Sequence, residues 1–445
     1  MSTGIAFPPG RDGQPSTTAT GREILAASAA PVPALAETIR AVTDWRRNYV
    51  AVYGAYTAAM AHEGFSAASA GAGLAAVNRH LLLDGKPLGE AEWFPHASYG
   101  TAPHSGRSVP VTELRVPYRG ATLSGEALLD QLHAWGEAKV LEPGFIEAIA
   151  DLVANPDWLK VEGRDVVLVG AAAEMSPLIP LTEWGASVLA IDLPIESVQG
   201  RIMTAARCGA GRVKVPIGRS GVPGLNIVED PAALHEWIYG NTHPGAVFGF
   251  YGYADGGQHV LVSAAADMVA SRMLAADPDI VLAGLATPTD AYLVPDHMID
   301  HGRAQFESGH PTRRAQRAIS HLTGARVFGP SFPNEEVDST GRRWGVADSL
   351  LSMQGPNYAL AKRMQRWRAL DAAAHGHRVS ANVAPASWTR SVMNNKVFNI
   401  AYSGAHRLGV EIFPADTARY LMAAKLVADI HRSIPACEHP EELFY

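Results

Sequence analysis

The chain of 445 residues is short of several things, and each shortage excludes a class of protein. It has two cysteines, Cys208 and Cys437, far apart in sequence. Such a pair makes neither a disulfide framework nor a cysteine-type zinc site. It suits a reducing compartment, so a cytoplasmic protein is expected. No stretch free of charge and proline reaches the roughly 18 apolar residues of a membrane span. The start of the chain lacks the basic-then-apolar pattern of a secretory leader. Neither sign of charge dominates: 37 Lys and Arg stand against 44 Asp and Glu, for a net charge of −7. The basic residues gather in no stripe, so nucleic acid is not an expected partner. The motifs G-x-G-x-x-G and H-E-x-x-H are both absent, and no internal repeat is visible.

What is present is ample material for a core, with 47% hydrophobic and 18% charged residues. The length suggests two or three domains. Residues 1–21, rich in Gly, Pro, Ser and Thr, read as a flexible tail. Residues 22–160 read as a mainly helical N-terminal extension, with Leu35, Ile39, Val42 and Trp45 at helical spacing. Within it, Glu92 to Leu114 reads as irregular and Ser124 to Val153 as helical. From about 161 to 395, short apolar runs alternate with helical stretches. The runs are Val166 to Val169, Val188 to Ile191, Arg212 to Val215, Ile280 to Leu282, Ala325 to Phe328 and Arg378 to Val383. Ala246 to Gly249 and His259 to Val262 read as strands of an insertion. The alternation predicts an α/β fold with βαβ units and a parallel sheet. Residues 396–445 read as a helical C-terminal segment packing on the substrate side.

The stretch from Asp165 to Asp192 (DVVLVGAAAEMSPLIPLTEWGASVLAID) is the most specific signal. A buried strand ends at Gly170, and small residues follow. A helix capped by Ser176 and opened by Pro177 is predicted next, then a second buried strand ending in Asp192. A nucleotide site of Rossmann type needs this order. The tight turn lets backbone approach phosphate, and a carboxylate about 20 residues on accepts hydrogen bonds from a ribose diol. The candidate cofactor residues are Gly170, Ala171, Ala172, Glu174, Met175, Ser176 and Asp192.

Further along, Tyr358 and Lys362 are four apart in GPNYALAKRMQRWRAL, hence on one helical face. A tyrosine beside an ammonium suits proton transfer at a carbonyl or carbinol carbon. Upstream lie DIVLAGLATPT, from Asp279 to Thr289, and ARVFGPSF, from Ala325 to Phe332. Downstream lies RVSANVAPASWTRSV, from Arg378 to Val392. In this order the pieces resemble the short-chain dehydrogenase/reductase superfamily over roughly Asp165 to Asn395. The resemblance implies a doubly wound parallel sheet. It makes Tyr358 the general acid/base, Lys362 the residue that holds the nicotinamide ribose and lowers the tyrosine pKa, and Ser331 the catalytic serine, with Ser349 and Ser352 as alternatives. It places Ala283 and Gly284 at the turn beside the adenine ribose. Pro385 and Thr389, or Ser391, fall on the carboxamide loop. The cofactor implied is NAD or NADP, with NAD favoured because Asp192 would repel a 2′-phosphate.

Other signals have blander readings. His297 and His301 are read as a solvated helix face, and His96 and His104 as packing residues. Arg363, Arg366 and Arg368 are read as covering a surface or interface, and Gly249 to Gly257 as a loop. The expected activity is that of an NAD(P)-dependent oxidoreductase acting on a small carbonyl or alcohol substrate, in a homo-oligomer. The competing readings are an S-adenosylmethionine-dependent methyltransferase, which fits Gly170 to Asp192 almost as well, and a non-catalytic Rossmann-like scaffold, which the glycine-poor turn favours.

Overall fold

The computed structural model describes residues 3–10, 13–307, 332, 334–394, 399, 402–404, 410–432 and 439–444. Its centre is a seven-stranded sheet. In chain order the strands are β1 (Gly100–Ser105), β2 (Asp165–Val169), β3 (Ser187–Ile191), β4 (Arg212–Ile217), β5 (Val247–Phe250), β6 (Val281–Ala286) and, after a small side sheet, β10 (Arg378–Val383). The side sheet is antiparallel and consists of β7 (Ala291–Pro295), β8 (Glu335–Val337) and β9 (Arg343–Asp348). The order across the central sheet is β10-β6-β5-β2-β3-β4-β1. Strands β2 to β6 and β10 run parallel, and β1 closes one edge antiparallel to β4. From β2 the chain builds outward through β3 and β4, then returns to the other side of β2 with β5. The sheet therefore has a point between β2 and β5 where its connections diverge.

The strands are apolar on both faces because helices cover both. Val167, Val169, Leu189, Ile191, Phe248, Phe250 and Leu282 face one way. On that side lie α1 (Thr17–Ser28), α2 (Pro33–Ala41), α3 (Trp45–Ala59), α4 (Glu63–His80), α9 (Pro231–Tyr239), α10 (Gly257–Ala276) and α12 (Pro356–Ala374). Val166, Leu168, Val188, Ala190, Val213, Val215 and Val247 face the other way. They meet α5 (Gly125–Glu137), α6 (Pro143–Ala154), α7 (Leu178–Trp184), α8 (Glu196–Cys208) and α13 (Ala415–His431). A further helix, α11 (Asp296–Glu307), lies against the side sheet.

Several expectations need correction. Residues 1–21 are not simply a flexible tail. Ile5 and Ala6 pair with Leu83 and Leu82, Ile5 N donates to Val228 O, Phe7 is buried and α1 begins at Thr17. The residues read as an N-terminal extension supply helices to both faces and strand β1, so no boundary in packing falls at 160. Strand β1 lies in the stretch read as irregular. Its sequence GTAPHS has no apolar alternation, and it is held by backbone pairing to β4. Val247–Phe250 belongs to the sheet centre and to no insertion. His259 to Val262 is helical, because its apolar residues continue all round a 20-residue helix, α10. That helix is long and apolar enough to cross a membrane by length and composition, but it packs between α9, α12 and the sheet. The run from Ala325 to Phe328 lies outside the described residues.

One buried carboxyl gives this fold a pH signature. Glu142 sits just before α6, and burial pushes its carboxyl up to about 7, with Lys425 opposing. A carboxyl whose folded pKa is raised stabilises the fold while protonated, and that contribution is lost as pH rises from the ordinary carboxylate range through about 7. Glu142→Gln is therefore expected to flatten the fall in melting temperature between about pH 5 and about pH 8. Thermal melts at the two pH values check this; parallel curves for the two proteins would refute it.

Candidate functional site

The loops that follow β2, β3, β5, β6 and β10 all lie at the carboxyl edge of the sheet. Such an edge, where connections diverge, is where open α/β sheets place ligands. After β2, Gly170 takes φ +82° and donates its N–H to Ile191 O at 2.9 Å, as does Ala171 at 3.1 Å. Ala172 N donates to Asp192 Oδ2 at 2.9 Å and Leu193 N to Oδ1 at 2.8 Å. Asp192 thus ties the loops after β2 and β3 together. Burial raises its pKa, and the two N–H donors oppose the rise.

This turn differs from its expected form in two respects. A Cβ on Gly170 would lie 2.4 Å from Gly252 N, so the glycine is required by the loop after β5 and not by a phosphate. Helix α7 starts at Leu178, is seven residues long and has no side-chain cap. Ser176 is buried and its Oγ has no partner. The N–H groups of Glu174 and Met175 likewise find no acceptor among the described residues.

The turn meets the loop after β10. Arg390 N donates to Glu174 Oε2 at 2.8 Å, and Ser387 Oγ lies 4.0 Å from Met175 Sδ. Arg419 of α13 donates from Nε to Glu174 O at 2.6 Å. Thr389 N donates to Ser387 O within this loop, which begins at Ala384 and Pro385, and Ser391 lies in the helical turn Arg390–Asn394. Ala283 and Gly284 do not flank a turn. They sit inside β6, paired with β5 and β10, and the strand runs on to Ala286.

The second half of the site surrounds Tyr358, in the first turn of α12. Its hydroxyl donates to Thr287 Oγ1 at 2.9 Å, and Thr287 and Thr289 share a hydrogen bond at 3.0 Å. Gln354 Nε2 donates to Thr289 Oγ1 at 2.6 Å. The rings of His259 and Tyr253 stand 5.5 Å and 6.3 Å from the Tyr358 ring. Burial raises the Tyr358 pKa, and the threonine hydrogen bonds work against the rise. Burial pushes His259 down to about 3, so its imidazole is neutral, and neither ring nitrogen has a partner.

Lys362 does not take its expected place. Its Nζ donates to Gln365 Oε1 at 3.1 Å, and it lines a cavity of about 60 Å³ between β5, β6, α10 and α12. Burial pushes its pKa down to about 8, and the Tyr358 phenol is shifted up, opposite to the expected direction. Ser331 lies outside the described residues. Ser349 and Ser352 are exposed, and neither bonds Tyr358. Thr287, to which the sequence assigns no role, holds the phenol instead.

Arg363 and Arg366 were expected on a surface and are buried, at 0% and 2% exposed. Arg366 pairs with Asp290 at 3.2 Å and with Glu441 at 2.5 Å, and Arg363 lies 3.7 Å from Asp290. The reason is that α12 is enclosed by α3, α4, α10 and the sheet. Because Asp290 follows Thr287 and Thr289, the ion pairs also anchor the loop that holds Tyr358. Arg368 pairs with Asp267 and Asp371. His297 and His301 fall on α11, and no metal-binding cluster occurs among the described residues. His96 bonds Asp84 and Asp230, and His104 lies in β1.

No family model matches the chain, and no curated protein matches it either.

Proposed function

We propose that the chain is a nicotinamide-dependent oxidoreductase built on a Rossmann-like sheet, acting on a small carbonyl or alcohol substrate. The observation that carries the reading is that Tyr358 stands on the same carboxyl edge as the Gly170–Ser176 turn and Asp192. Only the loop from Tyr251 to Gly256, after β5, separates them. Gly252 of that loop packs on Gly170, and the next residue, Tyr253, approaches Tyr358.

The residues fit a dinucleotide of this kind, held differently from the glycine-rich pattern. Asp192 is the acceptor for a ribose diol. The unpartnered Ser176 Oγ and the free N–H groups of Glu174 and Met175 offer donors to phosphate oxygens. The guanidinium groups of Arg390, 3.8 Å from Glu174 Oε2, and of Arg419, which donates to Glu174 O, bring positive charge to this turn, offset in part by Glu174 and Asp416. The nicotinamide group, when bound, supplies or accepts the hydride. Tyr358 moves the matching proton at the substrate oxygen, and Thr287 and Thr289 hold the phenolic oxygen in place and favour its ionised form.

Calorimetric titration with NADH, NADPH and S-adenosylmethionine tests the reading. NADH is expected to bind. Asp192→Asn is expected to weaken it by roughly 10- to 100-fold, the effect of a hydrogen bond to a charged group. Binding of S-adenosylmethionine alone would replace this reading with a methyltransferase. Binding of none of the three would leave a scaffold.

A further inference from the structure

Helix α12 carries one buried cation that the ion-pair network does not use. Arg363 and Arg366 face Asp290 and Glu441, two cations against two anions, and Arg368 faces Asp267 and Asp371. Among the described residues no carboxylate lies within ion-pair distance of Lys362. Its one hydrogen bond goes to a neutral carboxamide oxygen, and Gln365 in turn donates to Ser263 Oγ at 3.1 Å. His259 of α10 feels the lysine charge but is itself neutral. Burial pushes the Lys362 pKa down to about 8, with the Asp290 charge opposing, so near neutral pH a much larger share of it is the neutral amine than for a lysine in water.

That amine faces open space. The cavity of about 60 Å³ is walled by Phe248, Phe250, Leu282 and Phe444, with Lys362, Gln365 and Ser263 among its polar lining. A lysine desolvated in an apolar pocket is a nucleophile. We propose that Lys362 is a reactive amine that takes a small aldehyde or ketone into this cavity and holds it as an imine.

The chemistry balances without a co-reactant. The Nζ lone pair attacks the carbonyl carbon and a C–N bond forms. The carbonyl oxygen leaves as water with the two N–H protons, and a C=N bond remains. The imine, like the neutral amine, needs no carboxylate partner in the cavity. A carbamate formed with carbon dioxide would instead bury an unpaired negative charge. The inference stands apart from the oxidoreductase reading, since it needs neither nucleotide nor Tyr358.

Reductive trapping of the full chain is the test. The protein is treated briefly with acetaldehyde and cyanoborohydride near neutral pH, and peptides are mapped for ethylation at each lysine. Burial holds Lys362 at about 8, whereas exposed lysines lie near 10.4, so its neutral fraction exceeds theirs on the order of a hundredfold. Lys362 is expected to be ethylated at least about tenfold faster than the exposed Lys86 and Lys160. 1-Pyrenecarboxaldehyde, a rigid four-ring aldehyde, is expected to modify Lys86 and Lys160 and spare Lys362, which lies between β5, β6, α10 and α12. Ethylation of the exposed lysines ahead of Lys362, or equal reaction of Lys362 with both aldehydes, overturns the proposal.

Discussion

Turnover in the Tyr358→Phe variant is expected to fall by about 10²- to 10⁴-fold, the contribution of a positioned proton donor or acceptor. Affinity for NADH should change little, since Asp192, Ser176, Arg390 and Arg419 are untouched. The ring remains, so its edge contacts with His259 and Tyr253 survive and the fold is not put at risk. The pH profile of the parent protein provides a second reading. Burial raises the phenol's pKa, so at neutral pH Tyr358 is protonated and ready to act as an acid. Carbonyl reduction should therefore be nearly flat across neutral pH. Alcohol oxidation needs the phenolate, and its rate should climb through the alkaline range. Undiminished turnover in the variant, or an oxidation rate that does not rise with pH, would remove Tyr358 from the mechanism.

Glu441→Gln is expected to cost about 3–5 kcal/mol of stability, because it leaves the buried Arg366 charge without one of its two carboxylate partners. Glu441 and Arg366 are 1% and 2% exposed, so water cannot take over the lost interaction. A loss of that size is a large fraction of the roughly 5–15 kcal/mol that ordinarily separates folded from unfolded protein. The double variant Arg366→Met, Glu441→Gln removes one charge of each sign and leaves Arg363 facing Asp290. It should be clearly less destabilised than the sum of the two single variants. Denaturant unfolding of the three proteins decides the matter. A Glu441→Gln protein within about 0.5 kcal/mol of the parent would show that the pair is not coupled as its burial implies.

The central strands were legible because burial on both faces writes itself as unbroken apolar runs, as in Val166 to Val169 and Val188 to Ile191. Asp192 was legible because its distance from Gly170 is set by one turn, one helix and one strand. Strand β1 was not, since an edge strand held by backbone pairing needs no apolar code, and GTAPHS has none. His259 was missed for a different reason. HVLV reads locally as an alternating strand, and only the continuing alanines and methionines to Ala276 show a core helix. The helix that carries Tyr358 and Lys362 four residues apart was legible from its spacing. Spacing says nothing of depth, however, and depth sends the lysine into a cavity between β5, β6, α10 and α12 while the tyrosine reaches the edge of the sheet. The arginines of α12 misled in the same way. Their partners Asp290 and Glu441 lie about 75 residues before and after Arg366, beyond the reach of any local pattern.

The same ion-pair network constrains how quickly this chain finds its fold. Glu441 also meets Ser66, 375 positions away, and Arg363 meets Thr57, 306 positions away. Loops that long must close before these groups are satisfied, and contacts so distant in sequence slow folding. A collapsed chain whose sheet has formed but whose Glu441 has not yet docked would hold Arg366 in a dry interior with Asp290 as its one carboxylate. Such a state is poor in stability and rich in exposed apolar surface on α4 and α12. Refolding should therefore be slow and prone to aggregation at high protein concentration.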